Sequence, residues 1–217
     1  MIGLLYKDVI YMKKMWKTVL LFSVFFIVFS FVQSNTISAM SFISIMIGGN
    51  FSMLPFNYDS YSKWNEYQYS FPISKKTVVC SRYLFGLLLF GSCLLLNIVG
   101  FLLIRIILLF TMAPYISFDV QTVSAEILPV FFIPIMQAIS FPFMYRFGAE
   151  KGRLYVICAI AVIIAIVIFV LKIWRGEISS YRTYSSVLII LVGVAVVMYV
   201  LSMLLSIHIE QKKMQSL

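Results

Sequence analysis

YDSYSKWNEYQYSFPISKKTVVCSR, residues 58–82, is the longest polar interval in an otherwise largely apolar chain, and its reading decides the rest. It sets Lys63, Lys75, Lys76 and Arg82 against Asp59 and Glu66, with six aromatic side chains before Pro72. Taken as helical from Ser60 to Ser70, it places Tyr61, Trp64, Tyr67 and Phe71 three and four residues apart, as one aromatic stripe. Lys63 and Glu66 fall largely on other faces. Asp59 or Ser60 can cap the start, and Pro72 turns Phe71 away from helix. The pattern predicts a short amphipathic helix at a membrane surface between two apolar runs. Such a helix either rests on lipid headgroups or offers a rigid face to a soluble partner.

Composition settles the surroundings. Of 217 residues, 62% are hydrophobic and 12% charged, where soluble domains carry roughly a quarter charged residues. Several runs approach the ~20 apolar residues that cross a bilayer, so the chain reads as an integral membrane protein. The net charge of +9 would suggest nucleic acid in a soluble protein. Here the cations gather at the ends of apolar runs, where they act as topology signals, and nucleic-acid binding is not expected. Cys80, Cys93 and Cys158 are odd in number, lie in or beside apolar runs, and offer neither a disulfide framework nor metal-ligand spacing. The first apolar run follows a lysine cluster without a small-residue cleavage site, as in an uncleaved anchor.

In order along the chain, Ile2, Leu5, Val9, Met12 and Trp16 recur at helical spacing, predicting an amphipathic helix in the headgroup region. Six spans follow, at about 18–37, 39–57, 79–107, 127–147, 154–173 and 187–207, with the polar loop 58–78 between the second and third. The fold class is thus an all-α membrane protein. In the second span Ser41, Ser44, Gly48 and Ser52 share a face that admits close helix approach, serving either a path or interface, or packing within one subunit. Arg105 lies 23 positions beyond Arg82, roughly 34 Å along a helix axis, close enough to the far interface to snorkel. The fourth span holds Pro129, Pro134 and Pro142 beside Gln137 and Ser140. Carbonyls freed by proline must find neighbours or a wet cavity, so this span reads as a kinked or broken helix beside a path. A charged turn, Met144 to Arg153, then carries Arg146, Glu150, Lys151 and Arg153.

Six spans put both termini on one side. With the amino terminus, the central loop, the Arg146 turn and the tail inside, only Arg105, Lys172, Arg175 and Arg182 of the 17 Lys and Arg fall outside. That favours both termini in the cytoplasm.

No catalytic constellation stands out. The one histidine, His208, ends the last span, and a phosphate-cradling GxxxxGK[ST] loop is missing. No carboxylate sits at mid-membrane, as a proton-coupled carrier would require. The chain is therefore expected not to be an enzyme, to bind no cofactor or metal, and to draw its energy from a partner. A secondary transporter or channel, a membrane enzyme and a peptide-immunity protein are the rival readings.

Two stretches carry a family resemblance. YDSYSKWNEYQYSFPISKKTVVCSRYLFG, from Tyr58, resembles the first cytoplasmic loop of type-2 ABC transporter permeases. FPFMYRFGAEKGRLYVI, from Phe141, is similar to a turn in the small bacterial branch of that family. One departure is Cys80-Ser81-Arg82, where many relatives look to have a lysine. The resemblance implies the transmembrane subunit of an exporter in the bacterial plasma membrane. It also implies a separate ABC ATP-binding subunit holding ATP and Mg, and a second permease subunit, identical or different. Residues 59–71 would be the coupling helix, with Tyr61, Trp64, Tyr67 and Phe71 as anchors and Asp59, Lys63 and Glu66 around them.

Overall fold

The computed structural model describes residues 2–15, 17, 21, 36–68, 73–110, 127–173 and 181–215. The predicted first span lies almost wholly outside these residues, as does Phe71. The described residues are helical apart from turns at Met15 and at Ser62 and Lys63 and the pair Ile73 and Ser74 just before Lys75. Helix α1 is Ile2–Lys14, α2 Thr36–Tyr61, α3 Trp64–Tyr67 and α4 Lys75–Phe110. A 3₁₀ turn, Leu128–Phe131, leads into α5, Phe132–Ile173, and α6 is Tyr181–Gln215.

Among the described residues, three helices are long and apolar enough to cross a membrane: Lys75–Gly100, Pro129–Val162 and Val192–Lys212. The second covers parts of two predicted spans, because α5 is broken at Gly148 (φ 79°, ψ 174°). That backbone region is open essentially to glycine alone. The chain folds back there: a Cβ on Gly152 would sit 3.0 Å from the Phe143 carbonyl oxygen, although nine helical residues span roughly 13 Å. The rings of Phe147 and Tyr155 close the bend at 4.4 Å. The two glycines of GAEKG therefore have separate jobs, one conformational and one of close approach.

On α4, Val79, Arg82, Gly86, Leu89, Cys93 and Asn97 recur every three or four residues along one buried face, with Tyr83 beside it. Leu84, Leu87, Leu88, Leu95, Leu96, Leu102 and Leu103 point outward and are exposed. A row of exposed leucines this long suits acyl chains rather than water. Inside, Val79, Tyr83, Ala138, Phe141, Tyr145 and Tyr199 form one core cluster. Its rings meet edge to face, Tyr83 with Phe141 at 4.9 Å and with Tyr199 at 5.1 Å, a geometry the ring quadrupoles favour. A second cluster joins Cys93, Val130 and Ile133.

The proline-rich stretch is more regular than its composition suggests. Pro129 opens the 3₁₀ turn and Pro134 lies in the first turn of α5, where a missing N–H costs nothing. Only Pro142 is interior.

Candidate functional site

Three helices bring charge together at one end of the bundle. Arg82, in the second turn of α4, donates from Nη1 to Asp8 Oδ1 of α1 at 2.6 Å, and from Nη2 to Asp59 Oδ2 near the end of α2. Lys7 Nζ, one residue before Asp8, donates to Asp59 Oδ1 at 2.7 Å. Asp8 is 1% exposed, Arg82 and Asp59 5% each. Two cations and two carboxylates cancel, which makes such burial tolerable. The guanidinium fork suits the task, since it meets two carboxylates at fixed angles where an ammonium could not.

Asp59 is thus turned inward and does not cap a helix starting at Ser60. Instead α2 runs on through Tyr61 and stops at a turn in which Lys63 adopts the left-handed conformation (φ 52°). The predicted stripe is divided: Tyr61 ends α2, while Trp64 and Tyr67 belong to the four-residue α3. Tyr61 and Tyr67 are 85% and 63% exposed, and Lys63 is exposed. Trp64 is half-buried, with Lys7 Nζ 4.5 Å above its ring. The Glu66 side chain and Phe71 lie outside the described residues.

A cavity of about 90 Å³ opens beside the charge cluster, lined by Phe56, Asp59, Gln68, Val78, Arg82, Met144, Tyr145, Gly148, Ala149 and Glu210. Glu210 of α6 lies 4.0 Å from Lys75 at the start of α4. Hence α1, the end of α2, α3, the Gly148 bend and the end of α6 all meet at this end. Arg146, Glu150, Lys151 and Arg153 are exposed around the bend, Arg146 with its guanidinium 5.3 Å from the Phe147 ring.

Burial pushes the Asp8 carboxyl up to about 6, against the pull of Arg82 and then Lys7. Among the described residues its Oδ2 has no hydrogen-bond partner, which is why desolvation prevails. A carboxyl raised in the fold favours the fold when protonated. That contribution is complete below the ordinary value near 4 and is lost as pH rises through about 6. Stability should therefore rise by roughly 1 kcal/mol between pH 7 and pH 5. Thermal unfolding in detergent should show this rise in the native chain and not in Asp8→Asn; equal slopes would remove Asp8 as its source.

Further from this end lies a polar seam. Tyr83 Oη exchanges hydrogen bonds with Ser202 Oγ at 2.6 Å and Ser206 Oγ at 2.8 Å. Tyr199 Oη donates to the Tyr83 carbonyl at 2.6 Å. Ser202 Oγ donates to the Ala138 carbonyl at 2.6 Å, the acceptor that Pro142, four residues on, cannot serve. Gln137 Nε2 donates to the Gly86 carbonyl at 3.2 Å, and Asn97 Nδ2 to Ser44 Oγ.

Of the predicted path or interface residues, Ser41, Ser44, Gly48, Ser52, Pro134 and Gln137 are all buried within this chain. A Cβ on Gly48 would meet Ile133 Cδ1 at 2.7 Å, so this face brings α2 against α5. Sequence reasoning missed Lys7, Asp8 and Arg82 as a unit. The available signal was Asp8 itself, the lone acid among Lys7, Lys13, Lys14 and Lys17.

Neither a curated protein nor a solved structure matches the chain. A protein family described as ABC-2 family transporter protein matches residues 3–211, nearly the whole length. With its membrane-crossing helices, the chain is a multi-pass membrane protein. It belongs to the ABC-2 transporter permease family, the membrane transport component of an ABC transporter rather than a catalyst in its own right.

Proposed function

We propose that this permease is the membrane half of an ATP-driven exporter in a bacterial plasma membrane, with both termini cytoplasmic. A separate ABC ATP-binding subunit, carrying ATP and Mg, docks on residues 59–71, and a second permease subunit completes the path. Closure of the ATPase displaces the docking segment, and the helices rock between inward-open and outward-open states. The cargo is amphipathic or apolar, of the peptide, toxin or antibiotic kind.

The observation that carries the reading is the pair of exposed tyrosines, Tyr61 and Tyr67, on either side of the half-buried Trp64. They stand at the end of the bundle where the charged Gly148 bend and α1 also meet. Exposed aromatic side chains beside a rim of charge are what a buried protein interface draws on. The positive-inside count supports placing this end in the cytoplasm.

The test is co-purification from detergent with the ATP-binding subunit encoded nearest to this chain. Changing Tyr61 and Tyr67 together to alanine should cut the recovered ATPase by roughly tenfold or more while leaving the permease folded, since both are surface groups. Trp64→Ala should weaken recovery too, and also loosen the contact with Lys7. Unchanged recovery in the double variant would remove this surface from docking. Transport persisting with no ATPase present would favour the secondary-transporter reading instead.

A further inference from the structure

The middle of the docking segment is a short helix of its own. Helix α3 has four residues, too few to be stable on hydrogen bonding alone. Its backbone lies close to α2, but Lys63 in the left-handed conformation interrupts the helical rod between them. A push on α3 is therefore not delivered along a continuous helix. Across from it stands Lys7, whose ammonium lies 4.5 Å above the Trp64 ring and 2.7 Å from Asp59 Oδ1. Next to Lys7, Asp8 is bound by Arg82 at 2.6 Å. Arg82 is followed on α4 by Tyr83, the centre of the hydrogen bonds to Ser202 and Ser206 of α6.

Resting on the docking reading above, we infer that α1 is a working link in the permease. Lys7 grips the docking helix through Trp64, and the pair Asp8–Arg82 hands its displacement to α4. Lys7 and Asp8 are positioning residues, touching neither nucleotide nor cargo. The cluster moves as one body because separating any member leaves a buried charge without its counter-charge. Helix α1 packs on both α2 and α4 and buries Leu4 and Asp8, so it is a built part of this end of the bundle. The apolar face it leaves outward, with Ile2, Tyr6 and Val9 exposed, is free to ride on lipid as the linked helices shift.

Two measurements test this. The first needs no partner: hydrogen exchange of the Trp64–Gln68 amides in the permease alone. Lys7→Met keeps most of the stem and removes the charge, and Arg82 still pairs both Asp8 and Asp59, so the fold should survive with some loss of stability. Exchange over Trp64–Gln68 should speed up roughly tenfold in Lys7→Met and stay near native in Lys7→Arg, which keeps both the ion pair and the ring contact. Unchanged exchange in Lys7→Met overturns the grip, whatever the ATPase does. The second uses the permease–ATPase complex in nanodiscs, with spin labels at Leu88→Cys on α4 and Leu201→Cys on α6 after the native cysteines are replaced by alanine. ATP with vanadate should shift the label distance in the otherwise native chain and in Lys7→Arg. In Lys7→Met the ATPase should stay bound and the ratio of shifted to unshifted population should fall roughly tenfold. A full shift in Lys7→Met with the ATPase bound overturns the link. Absence of ATPase binding to the native chain overturns the docking reading, and the exchange result still decides the grip.

Discussion

Arg82→Met should destabilise the permease by roughly 3–5 kcal/mol at neutral pH, the largest loss expected of any single substitution in the charge cluster. The side chain bonds two carboxylates from two other helices, and all three groups are buried. Its removal leaves Asp8 and Asp59 facing each other with only Lys7 between them, 2.7 Å from Asp59 and 3.9 Å from Asp8. The loss should shrink toward pH 5.5, because Asp8, already pushed up to about 6 by burial, can then take a proton in place of its lost partner. Arg82→Lys should fall between, since one ammonium cannot reach two carboxylates in the guanidinium's fixed geometry. The diagnostic variant is the triple change Arg82→Met, Asp8→Asn, Asp59→Asn. Removing Arg82 together with both its acids, unlike removing Arg82 alone, should recover most of the stability, because the one charge left, Lys7, is partly exposed. Thermal unfolding of the four proteins in detergent decides the matter. A triple variant no more stable than Arg82→Met would mean that Arg82 acts through packing, for instance on the Phe56 ring 5.3 Å away.

Why the sequence was easier to read for class than for site follows from what each kind of signal averages over. Apolar length is a property of twenty residues at once, so the helical class and the membrane setting were legible from runs such as Leu84 to Leu103. The family, too, was legible, from two local motifs. The buried cluster is a different matter. Asp8, Asp59 and Arg82 are separated by 51 and 23 positions, and nothing local distinguishes an arginine that ends an apolar run at the interface from one that turns inward to two acids. Asp59 shows the consequence. Read locally it is a helix cap, but in the fold its carboxylate is turned to Arg82 and Lys7. Helix α2 therefore runs on to Tyr61 and the aromatic stripe splits at Lys63. The prolines illustrate the reverse error. Three in one span suggest a broken helix, yet position decides their cost, and two of them sit at helix starts.

The third proline shows how the interior absorbs a missing donor. Pro142 leaves the Ala138 carbonyl without its intrahelical partner, and Ser202 of α6 donates to it at 2.6 Å while also meeting Tyr83 Oη. Ser202→Ala should therefore cost more than an ordinary hydrogen bond, roughly 2–4 kcal/mol, because the carbonyl is stranded where water does not reach. Tyr83 keeps Ser206 at 2.8 Å, so its hydroxyl is not orphaned by the change. The two sites are coupled in a way that simple packing would not produce. In a Pro142→Ala background the residue-142 N–H can close the helix onto Ala138, and Ser202→Ala should then cost only about 1 kcal/mol, the loss of the tyrosine contact. Unfolding measured for both single variants, the double variant and the native chain gives the interaction energy directly. A strongly non-additive cycle, with Pro142→Ala rescuing Ser202→Ala, assigns Ser202 to the proline's vacant carbonyl. Additive losses would mean that Ser202 works through Tyr83 alone, and that the carbonyl freed by Pro142 is satisfied in some other way.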